Sequence, residues 1–405
     1  MTGGTVIVGA SLAGLRTAQH LRALGYADPV TLVGAEPHLP YDRPPLSKQV
    51  LLGEWPASRT HLVTEGQLAE LRVDARLGAA ATGLDRDRRL VTLADGGLIP
   101  YDFLVVATGS RPRELPAPNG GPHVHTLRTL DDARLIAARL GPGRRLVVVG
   151  AGFIGCEVTC AAVARGTTVT LVSREPALLP QFGPDVSSYL ARLHRDAGVR
   201  LVLDAHVRSV DPAGGDAASV VLADGTALDA DVVVVGIGGV PNVEWLAGSG
   251  LAGPDGVPVS PHGQTADPAV LALGDVAAWP GPGGRGRRRS EHWSHAVEQA
   301  KTVARVLVEG ASFDPGTFVP YAWSDQYGHK LQTVGEVPAR PGRIVSDNWH
   351  PTDGRRHCLY LDDRGEVVGG LFVDDPRGAG QLRRALQRAA APSGPGAPGL
   401  QPAAA

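Results

Sequence analysis

One pattern occurs twice in this chain, and its physics leaves few folds open. The run Thr5 to Gly9 (TVIVG) is apolar and β-branched, as a buried strand requires; Ala10-Ser11-Leu12-Ala13-Gly14 follows, and Leu15, Ala18 and Leu21 then recur at helical spacing. The order reads strand, tight turn, helix. Pro29 to Val33 supplies the next strand, with Glu36 just past its end. Far downstream, Arg145 to Gly150 (RLVVVG) leads into Ala151-Gly152-Phe153-Ile154-Gly155, an apolar-periodic stretch from Val158 to Ala164, and a strand from Val169 to Val172. Each copy is a βαβ unit. Two of them, a domain's length apart, predict an α/β chain with two Rossmann-like dinucleotide-binding domains.

The turns carry the chemistry. Gly150-x-Gly152-x-x-Gly155 is a complete fingerprint, in which closely approaching backbone N–H groups and the helix dipole stabilise two phosphates. Gly9-x-Ser11-x-x-Gly14 has serine in second place, still small enough for a pyrophosphate to reach the helix N-terminus. Glu36 stands where a carboxylate would take both ribose hydroxyls, although a solvated Glu36 beside a plain tight turn is the alternative. At the second site the acid's place is filled by Ser173-Arg174-Glu175. Arg174 would suit a 2′-phosphate or be a surface charge, while Gly155 and Glu175 argue the other way, so NADH and NADPH both stay open.

A chain of 405 residues exceeds one ordinary core. With 43% hydrophobic residues, 20% charged residues and a formal charge of −2, it is globular and lacks the bulk charge to coat nucleic acid or an anionic membrane. No apolar stretch long enough for a bilayer is free of glycine or charge, and Thr5 begins a strand too early for a signal peptide, so a cytoplasmic protein is expected. Cys156, Cys160 and Cys358 are too few for a disulfide framework. Cys156 and Cys160 share a helix face, where packing is the expected role.

Phe103 to Gly109 and Asp231 to Gly236 read as buried strands, and Arg111–Pro122 and Gly238–Asn242 as Pro/Gly-rich crossovers. From Pro320, alternating Trp/Tyr-bearing runs such as Lys330 to Val334 and His357 to Leu361 suggest a small C-terminal α+β domain. The expected division is 1–112 and 241–315 as two parts of an FAD-binding domain, 113–240 for NAD(P), 316–389 for the α+β domain, and a disordered Ala/Pro/Gly tail over 390–405.

Two tandem nucleotide sites, with Thr108-Gly109 after one strand and Gly274-Asp275 after another, are hard to explain unless one holds FAD. The motifs GASLAG (9–14), YDRPPLSK (41–48), ATGSRPR (107–113), LRTLDDA (127–133), GAGFIGCE (150–157), GIGGVPN (236–242), LALGDVA (271–277), EHWSHAVEQA (291–300) and WSDQYGHKLQ (323–332) make the resemblance specific. Over residues 4 to about 385 the chain resembles the FAD-dependent NAD(P)H:ferredoxin reductases of the two-dinucleotide flavoprotein superfamily. These serve bacterial monooxygenases (cytochrome P450) and ring-hydroxylating dioxygenases. The resemblance implies that Glu36 binds the FAD ribose, that Arg43 and Lys48 contact the flavin end, and that Ala81 and Arg128 lie near the adenine. It also implies that Asp275 holds the ribityl chain, that Trp293 packs near the flavin, and that Glu157 is the carboxylate that pairs with the lysine and touches the nicotinamide amide. Gly9, Ser11, Gly14, Thr108 and Gly109 complete the FAD candidates, and Gly150, Gly152, Ile154, Gly155, Ser173, Arg174 and Gly238 the nicotinamide ones.

Lys48 is one of three lysines beside 36 arginines. An ammonium near flavin N5 and N1 would stabilise the negative charge that grows as hydride arrives. As structural residues, Lys48 is a surface group after a proline turn and Glu157 a helix N-terminal charge. Disulfide reductases of this superfamily carry a redox dithiol after the first acidic residue; here Pro44 and Pro45 stand there and no cysteine does. Electrons would then leave directly from the flavin to a one-electron acceptor, a [2Fe–2S] ferredoxin, with the reductase a monomer or weak homodimer. The cluster Arg285 to Arg289 could steer that acidic partner or be a solvated loop. Rubredoxin, quinone and monodehydroascorbate-type reduction, and a non-enzymatic redox sensor of the apoptosis-inducing type, are the alternatives. Histidines 292, 295 and 329 lack ligand spacing, so no metal is expected.

Overall fold

The computed structural model describes residues 3–116, 121–213, 217–281, 286–316, 318–337, 344–348 and 356–390. The chain forms two compact units: Met1–Asp42 with Thr60–Arg111 and Gly239–Phe318, and Arg43–Arg59 with Pro112–Gly238 and Val319–Ala405.

The first unit is built on a parallel five-stranded sheet ordered Val270–Ala272, Phe103–Val106, Thr5–Val8, Val30–Gly34, Val73–Leu77. Both faces are covered, which is why the inner strands read as continuous apolar runs rather than alternating ones. On one face Ile7, Leu32, Val105 and Leu271 pack with Leu12, Ala18 and Leu21 of the helix Leu12–Ala23 and with Ala300 and Val303 of the helix Trp293–Glu309. On the other, Val6, Val8, Leu104 and Val106 cluster with Val91, Ile99 and Trp245. Each fully buried Leu, Ile or Val contributes about 1.5–3 kcal/mol, more than a typical hydrogen bond, so this double-sided core sets the positions of the loops at the strand ends.

The second unit repeats the plan. Its parallel sheet runs Arg200–Val202, Thr168–Val172, Arg145–Val149, Val232–Val235, Val124–Thr126. Val147, Val149, Val233 and Val235 pack against Val220, Leu222 and Leu228 of a small antiparallel sheet, and the helix Phe153–Ala164 covers the other face. The C-terminal part of this unit is a five-stranded antiparallel sheet, Tyr321–Gln326, His329–Gly335, Val367–Val373, Arg356–Leu361, Ile344–Asn348. The helix Pro376–Ala390 lays Ala379, Leu382 and Leu386 against Val334 and Phe372. The architecture is thus α/β, with two Rossmann-like domains and a small C-terminal α+β domain.

Some local readings are revised. The expected irregular crossovers contain short strands, Ser110–Pro112 and Gly239–Pro241, which pair with each other. Ala81–Asp85, Leu90–Leu93 and Leu98–Pro100 form an antiparallel sheet that no sequence pattern marks. Ala390, the first residue of the expected tail, ends a helix; residues 391–405 and Arg285 lie outside the described residues. Among the described residues no helix is long and apolar enough to cross a membrane.

Candidate active site

The first glycine turn is fixed by close backbone packing. Gly9 donates its N–H to the Val33 carbonyl at 2.7 Å, has φ +124°, and would place a Cβ only 2.1 Å from the Ala107 oxygen. A Cβ at Gly14 would lie 2.0 Å from the Gly9 oxygen. Ser11 is the extended N-cap of Leu12–Ala23, makes no side-chain cap, and no acidic residue stands in the first turn. The helix therefore offers uncapped N–H groups and positive dipole to an anion. Glu36 lies two residues beyond the adjacent strand and accepts a short hydrogen bond from the Tyr41 hydroxyl.

The other first-unit candidates sit at strand ends. Thr108 and Gly109 are clasped by Asn242: Thr108 Oγ1 donates to the Asn242 carbonyl (2.8 Å), Asn242 Nδ2 to the Thr108 carbonyl (2.9 Å), and Asn242 N to the Gly109 carbonyl (3.0 Å). Asp275 follows the strand Val270–Ala272 and accepts from Ser110 Oγ at 3.3 Å. Trp293 opens its helix and donates Nε1–H to Asp42 Oδ1 at 2.8 Å. Ala81 begins the antiparallel strand Ala81–Asp85.

In the second unit Gly150 donates to the Val172 carbonyl at 2.8 Å, has φ +111°, and its Cβ would meet the Gly236 oxygen at 2.2 Å. A Cβ at Gly155 would stand 1.9 Å from the Gly150 oxygen. Gly152 is the extended N-cap of Phe153–Ala164, and a Cβ there meets nothing within 4 Å. Open space before an uncapped helix is what a diphosphate needs. Ile154 is exposed; Ser173 is buried and its Oγ accepts from Glu175 N at 3.1 Å. Arg174 is exposed and pairs with Glu175 at 3.2 Å. Gly238 has φ +105° and its carbonyl accepts from Arg113 N. Arg43 and Arg128 meet here, with Arg43 Nη1 donating to the Arg128 carbonyl at 2.6 Å.

The same unit holds a buried ion pair. Lys48 Nζ is 2.8 Å from Glu157 Oε2, with side chains 10% and 3% exposed. Glu157 Oε2 also accepts from Ser47 Oγ at 2.5 Å, and Oε1 accepts from Ser324 Oγ at 2.6 Å. Lys48 additionally donates to the Pro44 carbonyl at 3.3 Å. Removing one partner of such a pair costs about 3–5 kcal/mol, because the other charge is left in low dielectric. Ser47, Ser324, Asn242 and Ser110 were not among the candidates. All four lie inside the motifs named above, but the inward position of Ser324 follows only from the strand's observed alternation.

The cysteines take no part in such chemistry. Cys156 is fully buried and burial pushes its thiol well up; burial pushes Cys160 up to about 12. Burial likewise lowers His295 to about 4, so it is neutral near pH 7, with Nδ1 2.8 Å from Ser290 Oγ. Of the arginine cluster, Arg287 and Arg288 are exposed, whereas Arg289 is half-buried, tied to Glu291 at 2.7 Å and to the Asp275 carbonyl at 2.9 Å.

Residues 4–300 match the family profile "Pyridine nucleotide-disulphide oxidoreductase", and residues 321–396 match "Reductase C-terminal". The chain belongs to the pyridine nucleotide-disulphide oxidoreductase family. It is 39% identical over 383 residues to rhodocoxin reductase of Rhodococcus erythropolis, covering 94% of this chain and 88% of that one. It is 38% identical over 389 residues to the anthranilate 1,2-dioxygenase system ferredoxin–NAD(+) reductase component of Burkholderia cepacia, covering 96% and 95%. The crystal structure of the covalent putidaredoxin reductase–putidaredoxin complex superposes with a TM-score of 0.89 at 34% identity, covering 95% of this chain and 93% of that chain. The family's cofactors, FAD and a nicotinamide dinucleotide, fit the residues present: both glycine turns precede a helix with no side-chain cap, and the second leaves open space at Gly152.

Two outcomes follow from this geometry. Aspartate at position 152 caps a helix well but places a negative charge where phosphates would bind. Gly152→Asp should keep FAD and melting temperature while weakening NADH binding by about tenfold or more; unchanged affinity by titration would contradict the placement. Because its thiol is held up near 12, Cys160 should resist alkylation at pH 8 in the folded protein and react once unfolded. Rapid labelling of the native protein, read by mass spectrometry, would contradict it.

Proposed function

We propose that this chain oxidises NADH and passes the electrons through FAD, one at a time, to a [2Fe–2S] ferredoxin that serves a cytochrome P450 or a dioxygenase. The observation that carries the reading is the buried Lys48–Glu157 pair in a chain with two glycine turns and no cysteine between Arg43 and Lys48. The names of the relatives, reductases of rhodocoxin, putidaredoxin and dioxygenase-system ferredoxins, support the acceptor.

Bound FAD supplies the exchange between hydride transfer and single-electron transfer. The chain's own residues do the rest. Gly9, Ser11 and Gly14 shape the turn that would bring the FAD pyrophosphate to the N-terminus of the helix Leu12–Ala23, and Glu36, oriented by Tyr41, would accept from its ribose. Thr108, Gly109, Asp275, Trp293 and Ala81 are the first unit's further candidates for the same cofactor, and Arg43 and Arg128, joined by a hydrogen bond, are the second unit's. Gly150, Gly152 and Gly155 take the NADH diphosphate; Ile154, Ser173, Arg174 and Gly238 border it. Glu175, exposed beside Arg174, would repel a 2′-phosphate, which favours NADH. Lys48, paired with Glu157, would set positive charge where negative charge develops on flavin reduction. Exposed Arg287 and Arg288 favour an acidic client. Buried free thiols such as Cys156 and Cys358 fit a reducing cytoplasm.

Anaerobic stopped-flow mixing tests this. NADH should reduce the flavin with a kcat/KM at least about tenfold above NADPH, and Lys48→Met should slow reduction at saturating NADH by about 10²–10³-fold with a smaller change in Kd. A Lys48→Met enzyme reduced at the parent rate would remove Lys48 from the mechanism. Reduced enzyme should transfer electrons to a [2Fe–2S] ferredoxin faster than to rubredoxin or quinone, and more slowly as salt rises. A faster quinone reaction, insensitive to salt, would contradict the acceptor.

A further inference from the structure

Behind the Glu157 carboxylate lies a second row of buried polar groups, all within the second unit. The strand Tyr321–Gln326 alternates half-buried and buried positions, so Ala322, Ser324 and Gln326 share its inward face, against the helix that carries Glu157. Ser324 is fully buried and Gln326 is 1% exposed. Ser324 Oγ donates to Glu157 Oε1 at 2.6 Å and accepts from Gln326 Nε2 at 3.2 Å. An ionised carboxylate only accepts and an amide nitrogen only donates, so the hydroxyl proton of Ser324 has one place to go.

The row continues. Gln326 Oε1 and His194 Nε2 are both buried without a hydrogen-bond partner among the described residues, one an acceptor and the other a ring nitrogen able to donate. His194, fully buried on the helix Pro184–Asp196, has Nδ1 2.8 Å from the Tyr327 hydroxyl. Tyr327 and Gly328 are the two turn residues of the hairpin joining Tyr321–Gln326 to His329–Gly335, with φ of 50° and 80°. A positive φ is unusual for so bulky a residue, and the bond to His194 gives the tyrosine a reason to hold it. Burial lowers His194 to about 4 and keeps it neutral. A neutral imidazole that accepts from Tyr327 at Nδ1 carries its proton on Nε2.

We propose that Ser324, oriented by Gln326, is a positioning residue that fixes the rotation of the Glu157 carboxylate and thereby the Lys48 ammonium for flavin reduction. The inference rests on the role proposed above for Lys48 and Glu157. Ser47 holds one carboxylate oxygen together with Lys48, and Ser324 holds the other. Two donors on different oxygens define the plane of the carboxylate. With Ser324 gone, Glu157 can turn and Lys48 follows it.

The test uses the FAD-loaded enzyme and anaerobic reduction by NADH. Ser324→Ala and Gln326→Leu should each slow flavin reduction at saturating NADH by about tenfold, the loss expected for one hydrogen bond to a charged group, with Kd for NADH changed by less than about twofold. Ser324→Thr, which keeps the hydroxyl, should restore most of the rate. In a Lys48→Met background, Ser324→Ala should cost less than about twofold more, because both changes act on one unit. A purely structural role would lower the melting temperature without this coupling. Should Gln326→Leu lose its FAD, the Ser324→Ala and Ser324→Thr pair decides. Parent-like reduction in Ser324→Ala, or an equal cost of Ser324→Ala with and without Lys48, overturns the positioning role. If Lys48→Met itself reduces at the parent rate, the role of the ion pair fails, and that result differs from either of these.

Discussion

The constraint on which both units depend is the contact that a glycine turn makes with its own chain. The Gly9 carbonyl stands 2.0 Å from where a Cβ of Gly14 would be, and the Gly150 carbonyl 1.9 Å from that of Gly155. No side chain fits there, so strand, turn and helix lock into one geometry that aims the helix N-terminus past the end of the sheet. The double-sided apolar core holds that aim rigid, and the polar groups at the strand ends inherit their positions from it.

The two units use this frame differently. In the first, the surrounding polar groups clasp loops: Asn242 ties down Thr108 and Gly109, and Gln299 Oε1 accepts from Gly274 N at 2.8 Å. Rigid strand ends of this kind suit a cofactor that stays bound. In the second, the helix behind the turn carries Glu157 inward, where it neutralises Lys48 and is held by two serines. A buried ion pair adds little to stability over an apolar pair of the same shape, because desolvation offsets most of the attraction. Its retention among so many satisfied hydrogen bonds argues for a task other than folding.

Features that follow from local spacing were legible in the sequence. The strands at Thr5–Val8, Val30–Gly34, Arg145–Val149 and Thr168–Val172 announced themselves by apolar β-branched runs, and the turns by glycine. Features that depend on distant pairing were not. Ser47, Glu157 and Ser324 are separated by more than a hundred residues in the chain, and nothing in their spacing says they meet. Residues 43–59 carry no periodic pattern that assigns them to the second unit. The short inserted strands around Val91 and Val220 carry no legible pattern, because three to six residues give too few periods to distinguish a strand from a loop. Ser324 and Gln326 were visible as polar residues, but only the observed alternation shows that they face inward.

The central claim is that reducing equivalents rest on FAD alone, with no thiol pair sharing them. Anaerobic titration of the purified yellow protein with NADH, followed by visible absorbance, measures this directly. Complete bleaching of the flavin at one equivalent of NADH, two electrons per FAD, is the predicted result. A protein that takes no FAD, or one whose flavin needs a second equivalent because a disulfide fills as well, would contradict the account.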